Sequence, residues 1–205
     1  MEARILEAAE RVFAEAGFGG ASMSQIAAAA GLSKANLHYY VGTKQALYRG
    51  VLTGILDLWL DAAEALRHDR EPAAALAAFV RTKMAWSRSR PHASRVFANE
   101  LLHGAPFVRD YLATELRRRV DDKSRVLEAW IADGRMAPVD PRHLFFMLWA
   151  TTQTYADFAV QVHAVMGVEE LSDEQFEHAT VEVIGLVLRG CGIAPETRHE
   201  TAQSD

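Results

Sequence analysis

The side chains best suited to chemistry lie close together in one polar segment, residues 33–44. An asparagine amide pairs with an adenine edge through two hydrogen bonds, and a lysine reaches a guanine or a phosphate. Tyrosine hydroxyls and the N–H groups at a helix N-terminus bind phosphate oxygens. The segment contains these groups at Lys34, Asn36, His38, Tyr39, Tyr40 and Lys44. The pattern favours a surface that binds nucleic acid; a helical hairpin with an incidentally polar face is the alternative.

The charge distribution points to the same end of the chain. The formal net charge is −5, yet no Asp or Glu occurs from Ala16 to Leu56, where Lys34, Lys44 and Arg49 are present. A locally basic segment on an acidic chain suits binding of a polyanion at that end only. Chance sparsity of acids in an alanine-rich stretch explains the same pattern and stays open.

Two short helices joined by a tight turn are predicted to position these side chains. Ser22 precedes Gln25 by three residues, a capping-box spacing that begins a helix ending near Ala30. The turn Gly31–Leu32–Ser33 follows, and Ser33 can cap a second helix that ends near Tyr40. Helices this short are not stable alone, so the flanking helices must hold them. The arrangement is typical of a helix-turn-helix.

The remaining chain has helical periodicity and lacks the alternating runs and Asn-Gly turns that indicate strands. Prolines are favoured in the first turn of a helix, and glycines after its last turn. The helix starts predicted in this way are Thr43 (as cap of a helix to about His68), Pro72, Pro91, Pro106, Pro141 and Ser172 (as cap), and the helix ends are Gly17, Gly42, Gly134, Gly167 and Gly190. An all-α fold of about nine helices is expected, with residues 193–205 as a disordered polar tail.

The last helix is apolar on two sides. Its main stripe consists of Phe176, Ala179, Thr180, Val183, Ile184, Val187 and Leu188, with Val181 and Leu186 on the other side. A helix apolar on two sides is buried on two sides, so a homodimer is predicted. The alternative is a monomer with this helix at the centre of its own core.

Composition argues against several classes of protein. One cysteine, Cys191, permits no disulfide framework within the chain, which suits a reducing cytoplasm. No apolar run has transmembrane length, and no secretory signal is recognisable. The eight histidines are scattered, and no phosphate loop, serine elbow or metal-ligand motif is found. We therefore expect no membrane span, no metal or cofactor and no enzyme activity; catalysis, or a helical module that binds protein instead of DNA, are the competing classes.

The N-terminal segment resembles the head of the TetR family of regulators in ILEAAERVFAEAGF, SMSQIAAAAGLSKANLHYY and TKQAL. The resemblance implies a three-helix head, residues 1–47, that reads the major groove of a pseudo-palindromic operator as part of a dimer. The family's DNA-contacting positions correspond to Ser22, Ser24, Ser33, Lys34, Asn36, His38, Tyr39, Tyr40 and Lys44. The chain departs from the family at His38, Val41 and Gly42, and the last two are expected to loosen the turn.

The following segment, residues 48–192, is similar to the ligand-binding and dimerisation region of the Rut-type pyrimidine-utilisation repressors, which sense uracil or thymine. The similarity lies in ILDLWL, SRVFANELLHGAP and DPRHLFFMLWATTQTYADFAVQV. It implies a ligand-responsive regulator of pyrimidine utilisation, released from its operator by uracil or thymine. A repressor of the same fold that senses a different small molecule is the alternative.

Residue chemistry agrees with a flat polar ligand. Trp149, Gln153 and Asp157 lie near one face of the helix predicted from Pro141. A glutamine amide offers a donor beside an acceptor, as the edge of a pyrimidine dione does. The candidate ligand residues are Trp59, Leu60, Trp149, Gln153 and Asp157, with Lys83, Asn99 and Glu100 as secondary polar candidates. Plain core roles are the alternative for the tryptophans, and Phe79, Trp86 and Phe97 are expected to pack in the core.

Overall fold

The computed structural model describes residues 1–194. Within them the chain is helical and contains no strand, as predicted. Its α-helices are α1 (Glu2–Gly20), α2 (Met23–Ala29), α3 (Lys34–Val41), α4 (Lys44–Ala62), α5 (Pro72–Ser89), α6 (Pro91–Leu102), α7 (Arg109–Tyr111), α8 (Arg117–Ala132), α9 (Pro141–Asp157), α10 (Ala159–Met166) and α11 (Asp173–Gly190). The predicted tail lies, from residue 195 onwards, outside the described residues.

Helices α1 to α3 and the first half of α4 form the head. Their shared core contains Ile5, Phe13, Ile26, Leu37 and Leu47, each at most 3% exposed. Side-chain caps begin three of the four helices, because Ser22, Ser33 and Thr43 each accept a backbone N–H three residues on. Gly17 interrupts α1 at a positive φ of 65°, which glycine adopts without strain.

The buried apolar residues form two separate clusters. The first joins the head to the middle of α4 and to α6, through residues such as Val51, Val96 and Phe97. The second holds the body around Trp130 and Phe145 and includes α5, α8, α9 and α11. Helix α6 therefore packs with the head, although it follows α5 directly in the chain.

An ion pair strengthens the contact between the head and α6. Arg90, the residue before α6, donates to the buried carboxylate of Glu10 in α1 at 2.5 Å. A buried carboxylate is costly unless a partner compensates it, so this pair ties α1 to the start of α6.

Four predicted boundaries differ in the structure. Gly17, predicted to end the first helix, interrupts α1, which continues to Gly20. The helix that begins after Thr43 ends at Ala62 and continues only as a 3-10 turn over Ala63–Ala65. Pro106 begins no helix; it lies in a turn after Ala105, whose φ is 55°. The helix predicted from Pro141 to Gly167 breaks at Phe158 into α9 and α10.

The break at Phe158 follows a run of threonines. Thr151, Thr152 and Thr154 each donate to the carbonyl four residues earlier. Such bonds compete with the backbone ladder and bend helices.

A π-helical stretch, Leu112–Leu116, joins α7 to α8. Counted with this stretch as one continuous helix, α7 and α8 bring the number of helices in the described residues to ten, where about nine were predicted.

No helix within residues 1–194 is long and apolar enough to cross a membrane. The same residues contain no group of three His, Cys, Asp or Glu side chains placed to hold a metal ion.

Candidate functional site

Helix α3 presents the polar surface that the sequence predicts. Leu37 is fully buried and anchors the helix, while Tyr39 is 86% and Tyr40 52% exposed. Lys34 and Asn36 are also exposed. The tyrosine rings stand edge to face, 5.5 Å apart. Large aromatic side chains exposed to this degree contribute little to the fold, so this face is available to a partner.

The three serines predicted to contact DNA differ in their hydrogen bonds within the chain. The Ser22 hydroxyl accepts the backbone N–H of Gln25 at 3.2 Å and contacts its amide oxygen. Ser33 accepts the backbone N–H of Asn36 at 3.1 Å. Ser24 is exposed in the first turn of α2. Ser22 and Ser33 therefore hold the ends of α2 and α3, and both remain on the exposed side of the head.

Two predicted contact residues already have partners within the chain. The Lys44 ammonium donates to the carbonyls of Phe18 and Ala21, at 2.7 and 2.9 Å. A lysine has three donors, which leaves Lys44 one for a phosphate. His38 Nδ1 lies 2.7 Å from the carbonyl oxygen of Gly42, at the end of α3. Both residues stabilise helix ends in the head, a role that sequence reasoning missed.

A cavity of about 170 Å³ lies between the two apolar clusters. Four of the five predicted ligand residues line it: Trp59, Leu60, Trp149 and Gln153. The other lining residues are Leu56, Ala63, Phe79, Phe97, Leu101, Leu112, Leu116, Arg119, Val120, Lys123 and Phe145. The cavity is thus predominantly apolar, with tryptophan walls contributed by α4 and α9.

Three polar side chains border the cavity, and two are held in ion pairs. Lys123 donates to Glu64 at 3.2 Å, and Arg119 contacts Glu115 at 2.8 Å and Glu64 at 3.5 Å. The Gln153 amide is the uncharged polar group among the described lining residues. It is therefore the group best suited to pair with a neutral ligand.

Sequence reasoning missed part of this lining. Phe79 and Phe97, expected to be plain core, line the cavity, as do Arg119 and Lys123 of α8. These two side chains border the cavity because α8 packs against α9. Such long-range packing leaves no local signal in the sequence, although a cation within an amphipathic helix is a weak indication.

Asp157 lies outside the cavity, one helical turn beyond Gln153. Burial raises the pKa of its carboxyl group, and Ser94, Lys83 and Arg95 oppose this increase. The ammonium of Lys83, a residue only 2% exposed, lies 3.8 Å from the centre of the Trp59 ring. Burial lowers the pKa of Lys83 to about 7, and Asp157 partly offsets that effect.

Helix α6 links the cavity to the head. Leu101 lines the cavity, while the neighbouring buried Glu100 accepts the backbone N–H of Phe107 at 2.6 Å. The Phe107 ring lies 4.6 Å from Phe18 and 5.2 Å from Tyr48, ring centre to ring centre. Burial, and then Glu100, raise the pKa of Tyr48. One helix thus contacts both the cavity and the aromatic cluster at the base of the head.

Family comparisons cover nearly all of the described chain. The model described as "Bacterial regulatory proteins, tetR family" matches residues 5–51. The model described as "YcdC-like protein, C-terminal region" matches residues 52–194. The HTH-type transcriptional regulator RutR of Escherichia coli (strain K12) is 47% identical over 184 residues, covering 90% of this chain and 86% of that protein.

Solved structures share the fold at low sequence identity. The TetR family transcriptional regulator PfmR from Thermus thermophilus has a TM-score of 0.72 at 20% identity, covering 92% of this chain and 96% of that one. AibR in complex with isovaleryl coenzyme A and operator DNA has a TM-score of 0.68 at 19% identity, covering 95% and 98%.

The exposed polar face of α3 and the cavity lined by α4 and α9 indicate the same class of protein as these matches do. The resemblance of both segments of the sequence to known regulators is confirmed. The chain belongs to the TetR family of bacterial transcriptional regulators, with RutR among its relatives.

Proposed function

We propose that the protein is a homodimeric repressor of pyrimidine utilisation that uracil or thymine releases from its operator. The observation that carries the proposal is the cavity of about 170 Å³ lined by Trp59, Trp149 and Gln153. A cavity of roughly 150 Å³ holds a benzene molecule, so this one has room for a single six-membered ring with small substituents. The 47% sequence identity to RutR over 90% of this chain supports the same assignment.

The cavity walls suit a flat ring with one polar edge. Tryptophan faces stack on planar rings, and Trp59 and Trp149 line the cavity from two different helices, α4 and α9. The Gln153 amide offers one acceptor and two donors, which complement the adjacent N–H and C=O of a pyrimidine dione. Leu60 supplies an apolar surface. Asp157, one helical turn beyond Gln153, contributes to the ligand site without lining the cavity.

The head supplies the DNA contacts in this proposal. Asn36 pairs with a base edge, and Lys34 binds a guanine or a phosphate. Tyr39, Tyr40, Ser22, Ser24, Ser33 and His38 fix the head on the sugar–phosphate backbone, and Lys44 adds its remaining donor. We place the DNA-binding unit at residues 1–47 and the ligand-binding and dimerisation unit at residues 48–192. Salt must then weaken operator binding, because phosphate contacts release counterions.

The exposed apolar side chains of α10, α11 and the residue before α10 support a dimer. Phe158, Val160, Val165 and Leu186 are each more than half exposed. Monomeric proteins seldom leave such a surface open to water. A second copy that covers it by two-fold symmetry gives two heads, which read half-sites about 34 Å apart or a multiple of that distance.

Replacing Leu186 with glutamate is expected to convert the dimer to a monomer, because a carboxylate buried in an apolar interface is strongly unfavourable. Light scattering behind size exclusion measures the mass, and operator affinity should fall with it. Ala132→Glu, at an exposed position of α8, controls for the added charge. A dimeric Leu186→Glu protein would contradict this interface.

The mechanism follows from linkage. Operator DNA selects one separation of the two heads, and a ligand that prefers another separation lowers operator affinity by its differential affinity. The cavity lies between the apolar cluster that includes the head and the cluster of the body. A ligand there changes how the two clusters pack, and α4 and α6 transmit the change.

Gln153→Ala is expected to abolish the rise in melting temperature that uracil or thymine causes in the native protein. A ligand that binds the native state raises its stability by mass action, and the variant loses the amide that pairs with the ring edge. Thermal shift and calorimetric titration measure the effect. Gln45→Ala, which removes an exposed amide outside the cavity, should bind as the native protein does.

The two possible failures of this experiment have different meanings. Native protein that binds neither base contradicts the pyrimidine effector and leaves a DNA-binding regulator with another ligand. A Gln153→Ala variant that binds either base as tightly as native protein removes Gln153 from the site.

A further inference from the structure

Three polar side chains, two of them buried, form a layer one helical turn beyond the cavity. Each of three helices that line the cavity contributes one member, three or four residues from a lining residue. The pairs of lining and polar residues are Phe79 and Lys83 in α5, Phe97 and Ser94 in α6, and Gln153 and Asp157 in α9. Lys83 and Ser94 are 2% and 3% exposed. The effector cavity therefore has a polar layer behind its aromatic wall.

Lys83 lies against Trp59, a residue that lines the cavity. Its ammonium lies 3.8 Å from the centre of the Trp59 ring, well within the range of a cation–π interaction. Trp59 in turn lines the cavity and packs edge to face on Phe97, 4.8 Å away. The charge of Lys83 is thus separated from a cavity ligand by one aromatic ring.

The surroundings of Lys83 compensate its charge only in part. Asp157 of α9 is the acid that raises the pKa of Lys83. Within residues 1–194, however, the two side chains do not form an ion pair with a separation of 4.0 Å or less. Ser94 lies near the Asp157 carboxylate. Even so, neither Ser94 Oγ nor Asp157 Oδ1 makes a well-oriented hydrogen bond in the described chain.

Other charged groups near this layer have separate partners or act on Asp157. Arg95 of α6 lowers the pKa of Asp157. In α5, Arg81 pairs with Glu177 of α11, and Arg88 pairs with Asp173 at the start of α11. The α4 side chain that faces Lys83 is Trp59, which does not titrate. Asp157 is therefore the charged group that chiefly affects the protonation of Lys83.

We propose that Lys83 is a positioning residue of the effector site, and that binding of an oxygen-bearing planar ring against Trp59 is coupled to uptake of a proton by Lys83. The proposal rests on the proposed function, because it places the effector in this cavity. A cation behind the ring fixes the orientation of Trp59 and attracts the partly negative carbonyl oxygens of the ligand. Low local dielectric makes this attraction stronger than it would be in water.

The direction of the pH dependence follows from the charge. Burial lowers the pKa of Lys83 to about 7 in the ligand-free protein, so the charge of this side chain changes near neutral pH. A ligand that prefers the ammonium raises this pKa when it binds. Its affinity is then highest below pH 7 and decreases as the pH rises to 9.

Calorimetric titration with uracil tests the coupling. At pH 7.5, titrations in buffers of different ionisation enthalpy should give uptake of up to one proton per site, and affinity should fall severalfold between pH 6 and pH 8.5. Proton release, or no exchange together with a flat pH profile, would overturn the proposal.

Two substitutions separate charge from packing. Lys83→Met should remove both the proton uptake and the pH dependence. Lys83→Arg keeps the charge above pH 8, so it should restore tight binding at high pH. Arg81→Met, which removes an exposed α5 cation that is paired with Glu177 outside the cavity, should leave the proton uptake in place. A Lys83→Met protein that binds uracil more weakly but with the native pH profile would assign Lys83 a packing role only.

A readout without ligand keeps this proposal distinct from the pyrimidine assignment. The fluorescence of Trp59, taken as the difference between native protein and Trp59→Phe, should change with a midpoint near the pKa of about 7 of Lys83. The change should be absent in Lys83→Met, with circular dichroism confirming that the variant is folded. If uracil fails to bind, the effector assignment fails; a flat fluorescence titration overturns the role of Lys83 in either case.

Discussion

Asn36→Ala should weaken binding to the native operator by about 1–3 kcal/mol in each half-site, because a bidentate contact to a base edge is lost. It should also relax discrimination at a single base pair. Lys34→Ala should weaken binding to every sequence and reduce the slope of log affinity against log salt by about one in each half-site if it binds a phosphate. Fluorescence anisotropy on operator variants at several salt concentrations measures both effects.

Neither substitution should alter folding. Lys34 and Asn36 are exposed on α3, and the bond that caps this helix uses the backbone N–H of Asn36. Arg125→Ala removes a cation that is 73% exposed on α8, and it should keep native operator affinity. Native affinity and salt slope in both α3 variants would contradict the assignment of this face to DNA.

Phe107→Ala should uncouple the cavity from the head. Phe107 joins α6 to the aromatic cluster of Phe18 and Tyr48, and none of its atoms lines the cavity. Effector affinity should therefore stay near native, while release of operator by effector decreases. Coupling between two sites is typically about 5- to 150-fold in affinity, and we expect the variant to retain only a small part of it.

The measurement is a thermodynamic cycle: operator affinity with and without effector, and effector affinity with and without operator, all well below the melting temperature. Phe107→Leu is the matched control, because it keeps apolar contact and should retain most of the coupling. Equal operator release in native and Phe107→Ala proteins would exclude this route, leaving α4 as the connection.

Local rules predicted several helix ends well. The capping boxes at Ser22 and Ser172 are both present, and Gly134 and Gly167 have the positive φ values expected after helix ends. These features depend on residues three or four positions apart, so the sequence contains all the necessary information. The buried Leu37 beside exposed tyrosines follows from the same periodicity.

Contacts distant in sequence were harder to predict. The hydrogen bonds from Lys44 to Phe18 and Ala21 join positions more than twenty residues apart. Their acceptors are backbone carbonyls, so the residue types do not indicate them. Pro106 was expected to begin a helix, but the turn is fixed by Glu100 and by a positive φ at Ala105. The ligand residues came from the resemblance combined with helical spacing, and spacing alone did not exclude Asp157 from the cavity.

The division of the apolar core into two clusters gives the cavity walls unequal freedom to change during evolution. Phe97 belongs to the cluster that holds the head, whereas Phe145 and Trp149 belong to that of the body. Substitutions on the α8–α9 wall can alter which ligand the cavity accepts without disturbing the head. Substitutions on α6 alter how strongly ligand binding changes operator affinity. A biosensor for a new metabolite is therefore best sought by diversifying α8 and α9 while α6 stays native.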